Sequence, residues 1–391
     1  MNTFSPGSGH PNAQSTSSKI ELPQGSKIVV VGAGAFGGWA ALQLLRKGYQ
    51  VTLVDQWGAG NSLSSSGGET RLIRCIYGTN PFYTSLAHRA YGLWLENEVH
   101  FERKILYPTG CLWFVDNEAD DIVEKALPII QREGLAFDKL TKEETSLKYP
   151  LINSTGLRYV VHEKKTGYLM AREGCQEVRK LFIKRGGNYL QDQATFKEKT
   201  STLNLADHGD ISGDLIIFAC GPWLKEMFRD VMGEKLKITR QEVFYFGLPP
   251  DKAKHFEAMP TWIDHSPPNF YYGIPGGINR GFKIAFDRRG PAIDPSSQER
   301  NATRDEIERA REYIGRRFNH LNKAPLIESR VCQYSDTLDG NFVFDFLPGY
   351  NNVMLLGGGS GHGYKHGPAL GELVANAIAG ESRLIPELML D

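Results

Sequence analysis

Residues 27–55 constrain this chain more than any other stretch of its 391 residues. Lys27–Gly32 (KIVVVG) is a short β-branched run, the pattern of a strand buried on both faces. Phe36–Lys47 follows as a helix and Gly48 ends it at the left-handed position that glycine fills most easily. Gln50–Asp55 (QVTLVD) then reads as a second strand. Between first strand and helix lie Gly32-Ala33-Gly34-Ala35-Phe36-Gly37, a G-x-G-x-x-G run. Gly32 permits the tight turn, Gly34 lets a pyrophosphate approach the backbone, and Gly37 brings the helix against the sheet. Ala35 and Phe36 open the helix, where free N–H groups and the helix dipole favour an anion. Asp55 ends the second strand and can accept from ribose hydroxyls. Together these features predict a dinucleotide-binding βαβ unit.

That unit does not by itself separate FAD from NAD. The next segment, Gly58–Arg74 (GAGNSLSSSGGETRLIR), is long, polar and flexible in composition. It suits a stretch running along an extended FAD better than a second nicotinamide crossover.

Composition narrows the class further. Lys+Arg and Asp+Glu both number 45, so nothing favours nucleic acid or an anionic membrane as a partner. Asp287-Arg288-Arg289 is a short, broken basic cluster and reads as solvated surface. Cys75, Cys111, Cys175, Cys220 and Cys332 are five, widely spaced and without a C-x-x-C pair, which argues against a disulfide framework or a metal site. No apolar run reaches the ~18 residues of a membrane span. Residues 1–26 are rich in Ser, Gly, Pro, Asn and Gln and are expected to be a disordered tail. Cytoplasm is the default compartment and a monomer is expected.

A long helix is predicted over Phe82–Arg103, and strands over Gly110–Val115, Leu157–Val161, Leu215–Cys220, Gln241–Gly247, Asn269–Ile274 and Gly281–Phe286. Thr303–Glu306 spells a capping box that opens a helix to about Phe318. Strands at Phe342–Phe346 and Val353–Leu356, a glycine-rich bend and a helix at Pro368–Ala379 complete the chain. The expected fold class is α/β (α+β overall): a Rossmann-like FAD-binding domain interleaved with a mixed-sheet substrate domain. The FAD-binding domain takes 27–104, 166–237 and 333–391, and the substrate domain 105–165 and 238–332.

With these stretches in order, the chain resembles the D-amino-acid-oxidase-type FAD-dependent oxidoreductases. Within them it is most similar to the sarcosine oxidase, N-methyltryptophan oxidase and pipecolate oxidase group. The resemblance runs from about Lys27 to Gly380. It rests on the fingerprint, Glu69-Thr70-Arg71-Leu72-Ile73-Arg74, Tyr271-Tyr272-Gly273, Gly281-Phe282-Lys283, Val331-Cys332-Gln333-Tyr334 and Ser360-Gly361-His362-Gly363-Tyr364-Lys365. It implies a covalent sulfur link from Cys332 to the flavin. It also implies a flavin-side Lys283 that promotes oxygen reduction, with Arg71 adding positive potential, since a fixed cation stabilises the charge that develops on oxygen. Arg74 and Lys365 match the pair that binds a substrate carboxylate, a task suited to the planar fork of arginine. Tyr272 and Tyr334 frame the amine pocket. Ser65 and Thr70 join the cofactor contacts, as do the N–H groups of the Gly361-His362-Gly363 turn, with His362 assisting.

Two departures bear on substrate. Ser66-Gly67 stands where the nearest relatives carry a histidine pair, and Asp287 replaces a further histidine. Sarcosine is therefore a poor candidate. Asp287 is expected to pair with a substrate amine or ring nitrogen, which points to a larger or basic amino acid. The implied reaction oxidises an amino-acid C–N bond to an imine and reduces oxygen to hydrogen peroxide. Two alternatives stand beside it: a dehydrogenase of the same fold that passes electrons to a quinone or carrier protein, and a non-catalytic flavin-binding protein.

Overall fold

The computed structural model describes residues 20–116, 122–266, 269–277 and 280–390. The β-branched run forms the strand Lys27–Val31 inside a six-stranded sheet. Its parallel neighbours are Gln50–Val54 and Leu215–Phe218, with Val29 opposite Thr52 and Ile216. Asn188–Leu190 and Val353–Gly357 extend the parallel pairing outward, and Val343–Phe346 closes one edge antiparallel. The pleat sends alternate residues to opposite faces. Ile28 and Val30 join a core with Trp39 and Leu370, from the helices Ala35–Arg46 and Gly367–Ile378. Val29 and Val31 join a second core with Leu203 and Phe228.

Between the two helices the backbones approach closely. A Cβ on Gly371 would lie 2.7 Å from the Trp39 carbonyl carbon. Trp39 is fully buried and stands edge-on to Trp94, at 5.1 Å and 85°. Truncating such a ring costs about 3–5 kcal/mol. The Trp94 indole donates to Lys365 O (2.9 Å), so the core also fixes a residue of the site.

An eight-stranded mixed sheet runs in the order Leu326–Thr337, Leu236–Phe246, Phe282–Phe286, Asn269–Pro275, Thr261–Ser266, Cys111–Asp116, Leu157–Glu163 and Phe137–Leu140. Its pairs are antiparallel except Thr261–Ser266 with Cys111–Asp116. The helix Arg304–Arg317 covers one face through Tyr313 and Ile314, against Trp262 and Phe282. A small sheet of Thr70–Ile73, Gly167–Met170 and Leu106–Tyr107 stands apart from both. No helix among the described residues is long and apolar enough to cross a membrane.

Several expectations need correction. Residues 1–19 lie outside the described residues, but 20–26 are not a tail. Ile20 and Leu22 pack on the main core, and Leu22 N–H donates to Ile378 O (3.1 Å). The helix expected to Arg103 ends at Glu98, whose carboxylate turns to take the N–H groups of Ile105 and Leu106. At the Thr303 cap only half of the box forms. Thr303 accepts from Glu306 N–H, but Thr303 N–H goes to Glu242 of a neighbouring strand. A reciprocal box occurs instead at Thr141 and Glu144.

Gly58–Glu69 is irregular but pinned, and Thr70–Ile73 is a strand. Asn61 Oδ1 accepts from Leu63 and Ser64 N–H, and Arg172 grips Gly67 O. The strand Leu326–Thr337 runs straight through the domain boundary expected at 332/333.

Candidate active site

One cavity of about 400 Å³ runs from the fingerprint, past the eight-stranded sheet, to the glycine-rich bend. At its first end Gly32 has φ +104°, and a Cβ there would meet Ala219 O at 2.4 Å. Gly37 lies behind the wall, where a Cβ would sit 1.9 Å from Gly32 O. These two contacts explain why the turn is glycine at both places. Gly34 caps the helix without a side-chain partner, Ala35 N–H is taken by Ser66 Oγ (3.2 Å), and Phe36 lines the wall. Asp55 accepts Ala33 N–H (2.7 Å) and Trp57 N–H (3.0 Å) and still faces the cavity. A glycine cradle at a helix N-terminus with a carboxylate beside it fits a dinucleotide.

At the middle, Cys332 and Arg71 meet. Arg71 Nη2 donates to Ser65 O (2.6 Å) and stands 3.7 Å from Cys332 Sγ. Its Nη1 donates to Thr70 O (2.8 Å). On the far side of Thr70, Lys283 Nζ donates to the same carbonyl (2.8 Å) and to Thr70 Oγ1 (3.0 Å). Lys283 and Thr70 therefore do not line the main cavity as expected. They line a second, smaller one of about 140 Å³, with the Thr70 backbone as the partition. Burial, and then Arg71, push the Lys283 ammonium well below the usual lysine range.

The far end holds two more cations. Arg74 donates to Ile76 O (2.5 Å), with its guanidinium 4.4 Å from the Tyr77 ring centre and 5.4 Å from that of Trp113. Lys365 Nζ donates to His362 O (2.8 Å) and lies 5.3 Å from the same Tyr77 ring centre. Burial, and then Arg74, hold Lys365 well below its ordinary pKa. Neither cation pairs with a carboxylate among the described residues. Lys365 is buried and Arg74 half-buried, and two cations that no carboxylate bonds favour an anionic ligand.

Tyr272 and Tyr334 face the same space, their hydroxyls 3.3 Å apart, and burial raises both pKa values, so both stay phenols. Gly361 has φ +74°, and a Cβ there would press on the Tyr334 ring at 2.8 Å. Gly363 admits Phe36 in the same way, at 2.7 Å.

His362 departs from its expected role. Its Nε2 bonds Gly340 O (3.1 Å) and its Nδ1 bonds Tyr77 OH (3.2 Å), so both nitrogens are committed to protein. Tyr77 OH also meets His366 Nε2 (2.7 Å). One proton order satisfies the set: His366 Nε2–H to Tyr77, Tyr77 O–H to His362 Nδ1, and His362 Nε2–H to Gly340 O. Burial, and then Lys365, depress both histidines, which agrees with neutral rings.

Arg289 is exposed, as its cluster predicted, but it is also tied to the site. It bonds Asp287 Oδ1 (3.0 Å), Asp336 Oδ1 (3.0 Å) and Ser360 O (3.2 Å), and lies over the Tyr334 ring at 5.3 Å. Ser360 carries a left-handed φ of 43°, strain that this grip helps to hold. Asp287 lines the cavity with its pKa raised, by burial first, against the opposing pull of Arg289. Gly67 leaves no hole where relatives have a histidine, because a Cβ there would meet Asn61 O at 1.9 Å. Tyr77, His366 and Arg289 were not anticipated. The only sequence signal for any of them is the closeness of Tyr77 to Arg74 and of His366 to Lys365.

A parallel dinucleotide-binding sheet, a mixed sheet beside it and a cavity shared by both define a nucleotide-dependent oxidoreductase fold. The chain belongs to the family of FAD dependent oxidoreductases of the DAO type, whose model matches residues 27–377. It is similar to the monomeric sarcosine oxidase of Bacillus sp. (strain B-0618), at 28% identity across 91% of this chain and 93% of that one. It is also similar to the N-methyl-L-tryptophan oxidase of Yersinia pestis (strain Pestoides F), at 23% identity over 89% and 93%. Among solved structures, L-proline dehydrogenase from P. horikoshii shares the fold with a TM-score of 0.79, at 20% identity over 93% of this chain and 96% of that one.

Proposed function

We propose that this chain is an FAD-dependent oxidase of a carboxylate-bearing primary, secondary or cyclic amine, giving an imine and hydrogen peroxide. The observation that carries the reading is the Arg74 and Lys365 pair, a half-buried and a buried cation at the cavity wall that share Tyr77 and are bonded by no carboxylate among the described residues. The names of the relatives, sarcosine oxidase and N-methyl-L-tryptophan oxidase, support an amino-acid amine as substrate. When bound, FAD supplies the two-electron acceptor for the C–N bond and delivers those electrons to oxygen.

The chain's own residues position and polarise. Gly32, Gly34, Ala35, Phe36 and Asp55 hold the nucleotide end. Arg74 and Lys365 fix the carboxylate, which orients the amine-bearing carbon toward the tyrosine pair. Tyr272 and Tyr334 exclude water and accept or donate only as neutral phenols. Arg71 supplies fixed positive potential at the cavity wall, and Lys283 adds to it from one layer behind, through Thr70. Much of the rate then comes from orientation and electrostatics.

The finer reading has three parts. Cys332 carries the cofactor as a thioether, supported by a sulfur that lines the cavity beside Arg71. Asp287 receives a hydrogen bond from the substrate amine or ring nitrogen, but as one of two carboxylates that share Arg289 rather than as a free anion. The enzyme acts as a cytoplasmic monomer.

A peroxide-coupled screen of amino acids, N-methyl amino acids and cyclic imino acids tests the reaction. Peroxide production with anaerobic bleaching of the flavin supports it. Bleaching followed by slow reaction with air favours a dehydrogenase. Failure of every amine to bleach the flavin returns the chain to a binding protein. An unchanged substrate profile in Asp287→Ala would remove Asp287 from the pocket.

A further inference from the structure

Glu163 ends the strand Leu157–Glu163 and is 3% exposed. A buried carboxylate is costly unless its oxygens are satisfied. Here three donors satisfy it. Oε1 accepts the N–H groups of Cys75 (3.0 Å) and Ile76 (3.1 Å), and Oε2 accepts the Trp113 indole N–H (2.6 Å). All three belong to the surroundings of Arg74. Cys75 and Ile76 follow it in the chain, Ile76 O receives its guanidinium, and the Trp113 ring lies against it. Glu163 makes no ion pair with Arg74 itself, so it acts on that side chain through these neighbours.

We propose that Glu163 is the positioning residue of the substrate-carboxylate clamp, setting the backbone and the indole that aim Arg74. This rests on the reading of Arg74 and Lys365 as that clamp. Charge gives a second reason for a carboxylate at this place. Burial raises the Glu163 pKa, the Trp113, Cys75 and Ile76 donors and Arg74 oppose that rise, and as a carboxylate Glu163 also acts on Lys365. In that form it partly balances the half-buried Arg74 and the buried Lys365, while its oxygens are occupied by N–H groups and do not compete for the guanidinium. A carboxylate bonded directly to Arg74 would instead block the ligand.

The test uses the FAD-loaded protein and two probes of equal size, acetate and acetamide, followed by calorimetry and by the visible flavin spectrum. In Glu163→Gln one amide oxygen still accepts from Cys75 and Ile76, but the amide N–H₂ faces the Trp113 N–H and the charge is gone. Loss of the charge alone would favour acetate, so a fall in its affinity reads the loss of Arg74's aim; it is expected to fall about tenfold or more, the order of one misplaced charge-assisted hydrogen bond. Acetamide binding should change less than about threefold. Trp113→Phe keeps a six-membered aromatic ring, loses the indole N–H together with the five-membered ring, and should shift acetate in the same direction by a smaller factor. This second variant keeps the proposal testable if Glu163→Gln does not fold.

A merely structural role would weaken both probes alike, and that result overturns the proposal. So does unchanged acetate affinity in the folded variants. Arg74→Ala separates the two layers. If it leaves acetate binding intact, the clamp reading fails. If it removes acetate binding while Glu163→Gln and Trp113→Phe do not weaken it, only the role of Glu163 fails.

Discussion

Replacing Arg289 by alanine should destabilise the protein in a way that depends on pH, and the direction follows from the contacts. Arg289 bonds two carboxylates, Asp287 and Asp336, and the Ser360 carbonyl. A fully buried charge-assisted bond contributes roughly 1.5–3 kcal/mol. The Arg289 side chain is 41% exposed, so solvent screens about half of that. Two such bonds leave a net cost of about 2 kcal/mol.

In the folded wild type the pKa of Asp287 is already raised, by burial more than Arg289 lowers it. The folded state thus binds the extra proton, and the stability linked to Asp287 falls as pH rises. Removing Arg289 takes away the opposing cation and raises that pKa further. The penalty of Arg289→Ala should therefore be smallest near pH 5 and largest near pH 8. Melting of the FAD-loaded protein at pH 5, 6.5 and 8 measures it. The midpoint should drop by about 2–4 °C at pH 8, on the order of 2 °C per kcal/mol, and by less at pH 5. A drop that is the same at all three pH values, or larger in acid, would refute the assignment of Arg289 as the counter-ion of Asp287.

Gly37→Ala places a Cβ against Gly32 O and should cut retained FAD at least about tenfold, read from the ratio of 450 to 280 nm absorbance of the purified protein. Cys332→Ser should release its yellow colour on acid precipitation while the wild type keeps it; release from both would remove the covalent link. Lys283→Met should slow reoxidation by oxygen about 10²-fold and leave anaerobic reduction within a few fold, as stopped-flow absorbance resolves. Equal slowing of both half-reactions would instead place Lys283 in general support of the site.

The nucleotide end of the molecule was legible because its reasons are local. A β-branched run, three glycines at fixed offsets and a terminal acid sit within thirty residues, and each answers to a contact such as Gly37 against Gly32. Five of the eight strands of the mixed sheet were legible as short runs, but Phe137–Leu140, Thr261–Ser266 and Leu326–Thr337 were not. The helix Ala171–Lys184 was not: its mean hydropathy is low and its start at Met170 has no side-chain cap. Glu163 escaped notice because its partners lie 88, 87 and 50 residues away, a relation that only the fold creates. Arg289 was rightly read as exposed, but its ties to Asp336 and Ser360 escaped notice for the same reason, since both reach it from elsewhere in the chain. Lys283 was placed correctly on a strand, but its separation from the main cavity depends on which side of Thr70 it enters.

The central claim, oxidation of a carboxylate-bearing amine by oxygen, is tested most directly by matched substrates. Each amine that reduces the flavin should be compared with its amide, which keeps the amine and removes the negative charge. The account predicts one hydrogen peroxide per amine oxidised, and kcat/KM at least about 100-fold higher for the acid than for the amide, the loss of two charge-assisted contacts. Equal turnover of acid and amide, or flavin reduction without peroxide on return of air, would contradict it.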